Sequence, residues 1–365
     1  MCRVELWPAP SSMNMNIRIC GVVFCLLTLP LHQDATAATA AAQLKAPLVG
    51  LVVMGDIHFH RQDGGLAHPS LEELRPFPDI FGGVVINITW EQLEPTRGVL
   101  HTEAIDRVLG EMRTYNQAHP RCPIGARLRV WPGPNAPAWA KNLGGAPVSV
   151  LHREMPISVG RFWAKPYRDA WRELQLRLAA RYDSEPLIRE ISNTSGSSIT
   201  CEAMLLPGDS RSIKNLLAAG FTDKQYQACL GESSADYAGW VTTRVEWPCN
   251  PYRAITSGKT QADPEFTLKL MRHWRQTLGS RGILGNYALA KPLPDHLLVI
   301  YAELRRLGPP IALETQSPGG LDWEGTLRLG LSYGASSIEL WSGTKFGGIE
   351  TKTPQILRAW AALFK

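Results

Sequence analysis

With 365 residues, 44% of them hydrophobic and 19% charged, the chain has ordinary globular composition and length for one large α/β domain or two smaller ones. Its net charge of +5 comes from 38 basic and 33 acidic residues scattered without blocks, which excludes the clustered basic stripe of a nucleic-acid-binding surface. Twelve tryptophans are many, and several stand where apolar runs end, where an aromatic face suits a sugar ring as well as core packing.

Residues 1–40 read as a signal peptide and leader. "MNMNIR" is a charged segment, and "ICGVVFCLLTLPL" is an apolar one too short for a stable membrane span. "ATAATAAAQ" then offers Ala-x-Ala cleavage at Ala35/Ala37 or Ala38/Ala40. Met13 or Met15 is an alternative start, and an uncleaved anchor is the alternative to cleavage. No other segment is apolar enough to span a bilayer. The mature protein is therefore expected to be soluble, exported (secreted or periplasmic) and monomeric. Cys2, Cys20 and Cys25 leave with the leader, so Cys122, Cys201, Cys229 and Cys249 remain in an oxidising compartment. One bridge is expected among the last three, helping to hold a loop at Cys201. The absence of a C-x-x-C pair argues against a thiolate zinc site.

The first strand-like run is "GLVVMGDIHFH", residues 50–60, in which strand alternation aims His58 and His60 to one side. Seven more follow in chain order: "FGGVVINITW", "IGARLRVWPG", "LIREISNTS", "VTTRVEWPCN", "GILGNYALA", "PIALETQS" and "SSIELWSG". Between them lie amphipathic helical patterns such as "TEAIDRVLGEMRTYNQA", "KPYRDAWRELQLRLAARY", "DPEFTLKLMRHWRQTLG" and "LPDHLLVIYAELRRLG", and "TPQILRAWAALF" closes the set. Such alternation demands a parallel sheet with right-handed crossovers. Eight units, with no glycine-rich turn after the first strand, predict a closed (β/α)8 TIM barrel as a single α/β domain over residues 46–365. The longest irregular stretches, residues 133–160 and 195–221, follow strands three and four, where loops build the cleft of a barrel.

Polar groups at the carboxyl ends of barrel strands are the candidates for chemistry. A binuclear metal hydrolase starting from His58 and His60 would need histidines on later strands, and strands four to eight carry none. They offer Glu190 and Asn193, Glu246, Asn286 and Tyr287, and Glu339 instead. No metal and no cofactor is expected. Glu314 ends the apolar stretch of strand seven, a position where a carboxylate needs partners or a task.

These features together resemble the clan A glycoside hydrolases, retaining (β/α)8 enzymes. "NITWEQLEPTRGVLH" resembles the clan's W-x-x-L-E-P-x-x-G segment at Trp90, Leu93, Glu94, Pro95 and Gly98; "RLRVWPGPNAPAWA" resembles its cleft-lining third strand; and "IELWSG" puts Trp341 where the clan stacks a tryptophan under the sugar. The resemblance implies Glu314 as nucleophile. Strand four departs from it, because Thr194 follows Asn193 where the acid/base Glu is expected. Glu202, in the loop beyond, is the replacement this reading chooses, with Glu246 as the alternative and Glu190 assigned to a structural pair. His58, Trp90, Arg129, Trp131, Asn193, Asn286 and Trp341 are then substrate-binding candidates, with Trp139 and Trp247 as further stacking surfaces. The implied function is cleavage of a polysaccharide or oligosaccharide by a retaining two-carboxylate mechanism. A barrel that binds carbohydrate without cleaving it is the first alternative, and a metal-dependent hydrolase the second.

Overall fold

A computed structural model describes residues 43–54, 71, 74–316, 322–341 and 348–365 of the chain. The leader, His58 and His60 lie outside the described residues. From residue 43 on, the described chain forms one unit.

Eight parallel strands close on themselves: β1 (Gly50–Met54), β2 (Gly83–Thr89), β3 (Gly125–Trp131), β4 (Ile188–Ser192), β5 (Arg244–Pro248), β6 (Gly282–Leu289), β7 (Ile311–Thr315) and β8 (Ala335–Trp341). β1 pairs with both β2 and β8, so no edge remains. All eight runs expected from the sequence are strands of this barrel. Around it pack α1 (Glu103–Ala118), α2 (Lys165–Tyr182), α3 (Asp223–Gly231), α4 (Pro264–Leu278), α5 (Leu298–Leu307), α6 (Trp323–Ser332) and α7 (Pro354–Ala361). Among the described residues, no helix is long and apolar enough to cross a membrane.

Local chemistry sets these boundaries. α4 starts where the Asp263 carboxylate accepts from Phe266 N–H with Pro264 in the first turn, and α3 where the Thr222 hydroxyl accepts from Gln225 N–H. The two stretches expected to be irregular are more ordered than that. Residues 133–160 hold an antiparallel hairpin, Val148–His152 with Met155–Val159. Residues 195–221 hold a helix, Ser210–Ala218, whose first turn the Asp209 carboxylate caps through Ser212 N–H. Asp209 is a cap signal that apolar periodicity alone passes over.

The main apolar core lies between sheet and helices, while a second small cluster of Leu48, Val52 and Val85 fills the amino-terminal end of the barrel. The segment before β1 makes that floor. Lys45 Nζ donates to the carbonyls of Glu185 and Ile188, each at 2.7 Å, and to Thr243 Oγ1 at 2.8 Å. Leu48 packs against Gly83 and Gly125, where any side chain would collide with it. Above this floor the barrel interior turns polar.

Candidate active site

Alternation along β3 sends Ala126, Leu128 and Val130 outward to the helices and both Arg127 and Arg129 inward. Two guanidiniums in a barrel interior need carboxylates, and the neighbouring strands supply them. Arg127 donates through Nε and Nη2 to Glu190 of β4, at 2.9 and 2.7 Å, and through Nη1 to Glu339 of β8 at 3.2 Å. Arg129 donates through Nη1 and Nη2 to Glu339, at 2.9 and 2.6 Å, and reaches Glu314 of β7 at 3.4 Å. Its guanidinium also lies 4.3 Å from the ring centre of Tyr287 on β6. Glu190 is thus the structural partner the sequence assigned to it. Losing one member of such a buried pair typically costs about 3–5 kcal/mol, since it leaves a charge uncompensated.

Glu314 and Glu339 are direct neighbours in the β7–β8 register, so their carboxyls project side by side. Glu246 of β5 accepts from the Tyr287 hydroxyl at 2.7 Å and is completely buried. With Glu202, the barrel interior from floor to carboxyl end holds five carboxyls, Glu190, Glu202, Glu246, Glu314 and Glu339, around two guanidiniums. Carboxyls outnumber guanidiniums there, so burial weighs against full ionisation of the cluster. Burial pushes the Glu314 carboxyl well above the usual carboxylate range, Glu339 adds to the rise, and Arg129 opposes it. Burial also raises Glu246, against the pull of Arg127 and Arg129. Glu202 is raised by burial as well, with a hydrogen bond from Asn250 and the charge of Arg129 acting the other way.

Glu202 reaches this cluster because of how the loop after β4 is tied. Thr194, the residue at the departing position, is buried: its hydroxyl donates to Val130 O at 2.7 Å and its N–H to the Tyr237 hydroxyl at 3.0 Å. The chain then turns at Gly196, φ +73°, a left-handed conformation suited to glycine. The Tyr226 hydroxyl of α3 donates to Gly196 O and accepts from Met204 N–H, each at 2.9 Å, clasping the two sides of the loop. Glu202, half-buried, lies between them, with its N–H on Thr200 Oγ1 and its carboxylate accepting from Asn250 at 2.9 Å. Its charge acts on Glu314, and the charge of Arg129 acts on it.

Several expected site residues stand elsewhere. Trp90 begins a helical turn whose N-cap, Thr89, accepts from Gln92 N–H, and this turns its indole into the core. There it is completely buried, edge-on to Trp139, Tyr167 and Trp171, with Nε1 donating to Glu94 at 3.0 Å. Glu94 also accepts from Gly98 N–H and Arg177, so the "WEQLEPTRG" segment is a structural clasp here. Asn286 points out of the barrel, donating to Cys249 O and accepting from Tyr301 and Ala288 N–H. Asn193 is likewise engaged with Ser233 and Ser195. Both side chains are completely buried, with their polar atoms satisfied inside the protein. Trp247, one residue from inward-facing Glu246, faces outward onto Trp274. Trp131 and Trp341 do remain half-buried at the barrel mouth, with their N–H groups on Asn87 Oδ1 and Thr315 O. Arg129 sits beneath them as the charge partner of Glu339 and Glu314. Cys122, Cys201, Cys229 and Cys249 are all free thiols, so the loop at Glu202 is held by hydrogen bonds and not by the expected bridge. Among the described residues, no group of three His, Cys, Asp or Glu could hold a metal ion.

Sequence reasoning missed Arg127 and Asn250. The first had a signal: two arginines two apart in an apolar strand share its inner face and demand buried acids. Asn250 had none, because its partner is 48 residues away.

No family model and no curated protein matches the chain. Among solved structures, the catalytic domain of a β-amylase from Paenibacillus polymyxa matches with TM-score 0.51 at 10% identity, over 88% of this chain and 98% of that one. Endo-glycoceramidase II from Rhodococcus sp., in an iminocyclitol complex, matches with TM-score 0.44 at 18% identity over 76% of each chain. An endogalactoceramidase matches with TM-score 0.45 at 17% identity, over 81% of this chain and 74% of that one. At such identities the likeness to the β-amylase domain is one of fold, the closed (β/α)8 barrel.

Proposed function

We propose that this chain is an exported glycoside hydrolase that cleaves a polysaccharide or oligosaccharide through Glu314 and Glu202, with retention of configuration. The observation that supports this reading is the loop after β4, whose Glu202 carboxylate is held by Asn250 just beyond β5 and so lies at the same end of the barrel as Glu314 near the end of β7. In the first step the Glu314 carboxylate attacks the anomeric carbon while Glu202 gives its proton to the departing oxygen. In the second step Glu202 takes a proton from water, whose oxygen displaces Glu314 and frees the sugar. A raised Glu202 suits the acid. Glu314 must be ionised to attack: burial and the neighbouring Glu339 oppose that charge, and the Arg129 guanidinium is the group that favours it. Trp131 and Trp341 offer stacking surfaces at the mouth.

Both acting carboxyls are raised, so the pH–rate profile should lie above that of an enzyme with ordinary carboxyls on both limbs. Glu314→Gln should lower activity by several orders of magnitude while leaving sugar binding largely intact. Glu202→Ala should cripple unactivated substrates and spare an aryl glycoside with a good leaving group, and azide should rescue it as a glycosyl azide of retained configuration. An active Glu314→Gln enzyme ends the nucleophile assignment, and rescue of a Glu246 variant instead moves the acid/base to β5. The second reading, a barrel that binds carbohydrate without cleaving it, is favoured by Thr194 at the usual acid position. A wild-type protein that binds oligosaccharides but releases no reducing sugar from any of them would establish it.

A further inference from the structure

Resting on the assignment of Glu202 as acid/base, we propose that Asn250, at the carboxyl end of β5, is the residue that orients the Glu202 carboxyl and tunes its proton affinity. In a barrel with its acid on β4, the strand itself aims the carboxyl. Here the acid is on a loop, so its orientation has to come from another element. Asn250 is 5% exposed and follows Cys249, whose N–H is bound to Gly285 O of β6. Its own carbonyl accepts from Thr267 Oγ1 of α4 at 3.0 Å. That backbone is therefore fixed from two sides. From it, Nδ2 donates to Glu202 Oε2 at 2.9 Å and approaches Ala203 O at 3.5 Å, holding side chain and loop with one amide.

The amide can only donate at Nδ2, so this bond favours the ionised carboxylate. The other groups acting on Glu202 are the Arg129 guanidinium from β3 and the carboxyls of Glu246 from β5 and Glu339 from β8, with Glu314 of β7 and the neighbouring Cys201 thiol coupled to it in turn. Of these, Arg129 alone shares the sense of Asn250, and it is already bound to Glu339. Removing the amide therefore leaves a carboxyl that releases its proton at higher pH and no longer points steadily at the leaving oxygen.

The test compares Asn250→Ala and Asn250→Ser with wild type in the full mature chain. Measured are kcat/KM against pH on a natural-type oligosaccharide, and kcat on an aryl glycoside whose leaving group needs no proton. The alanine variant should lose 10- to 100-fold on the oligosaccharide and little on the aryl glycoside, with the basic limb of its profile moved to higher pH. Serine, which restores a donor, should recover part of both effects. An unmoved basic limb, or equal losses on both substrates, overturns the role of Asn250. If both variants fail to fold, wild type decides: 15N-labelled at asparagine, it should show one Asn side-chain amide shifting with the pKa of the basic limb, and no such amide overturns the proposal. A Glu202→Ala enzyme without leaving-group dependence sinks the acid/base reading itself, a distinguishable outcome.

Discussion

Glu246 shows how far a single position in this barrel is from solution chemistry. Its carboxyl is completely buried, one oxygen accepts from Tyr287, and the other lies where a side chain on Gly285 would have to stand. Burial raises it together with Glu202 and Glu314. A carboxyl whose folded-state pKa exceeds its unfolded one binds more protons in the native state. Its contribution to stability is full at low pH and declines as pH rises from the ordinary value of 4.5 through the raised one. Glu246→Gln removes one such group. Chemical denaturation at pH 4 and pH 8 should find the variant's stability falling less between the two than that of wild type. An identical decline in both would mean that Glu246 ionises as freely folded as unfolded.

Among the elements, the loop from Asn193 to Asp209 is the one that carries the proposed acid/base, and α3 ties it through a single hydroxyl. Tyr226 joins Gly196 O to Met204 N–H across the turn that presents Glu202. Tyr226→Phe keeps the ring packing with Phe162 and Tyr252 and deletes both bonds. Stability should fall by about 1–2 kcal/mol. Under the proposed function, activity on unactivated glycosides should fall more than the unfolded fraction explains, because the loop loses its clasp while the fold remains. Circular dichroism melting and kinetics on the same preparation compare the two effects. A stability loss with unchanged turnover would show that Glu202 is held well enough without α3.

At the scale of the whole molecule, the barrel is closed at one end by a segment that precedes its first strand. Lys45 offers its ammonium to Glu185 O, Ile188 O and Thr243 Oγ1, while Leu48 N–H donates to Glu190 Oε1 at 2.7 Å. The floor is therefore bonded to the same Glu190 that holds Arg127, and Arg127 in turn touches Glu339. Lys45→Ala should cost about 2 kcal/mol through acceptors left without a donor. The loss should appear as a lower denaturation midpoint with an unchanged denaturant slope. A change confined to the slope would place the effect in the unfolded chain.

Eight apolar runs separated by amphipathic helices were enough to name the barrel, because period and order are local properties and a parallel sheet of eight such units closes in one way. Local sequence also showed Glu314 at the end of β7 and the departure at Thr194 just after β4. It did not show that Trp90 faces the core. That depends on a helical turn capped by Thr89, which rotates the indole into the core. Nor did it show that Asn193 and Asn286 spend their amides inside the protein, or that Cys201 is free. The placement of Glu202 on Asn250, where the charges of Arg129 and Glu314 act with it, is a purely tertiary outcome. It joins strands three, five and seven with a loop after strand four, and the groups that set its proton affinity come from segments tens to more than a hundred residues apart. Periodicity reports which way a side chain faces along its own element; only the closed barrel decides which charges it meets there.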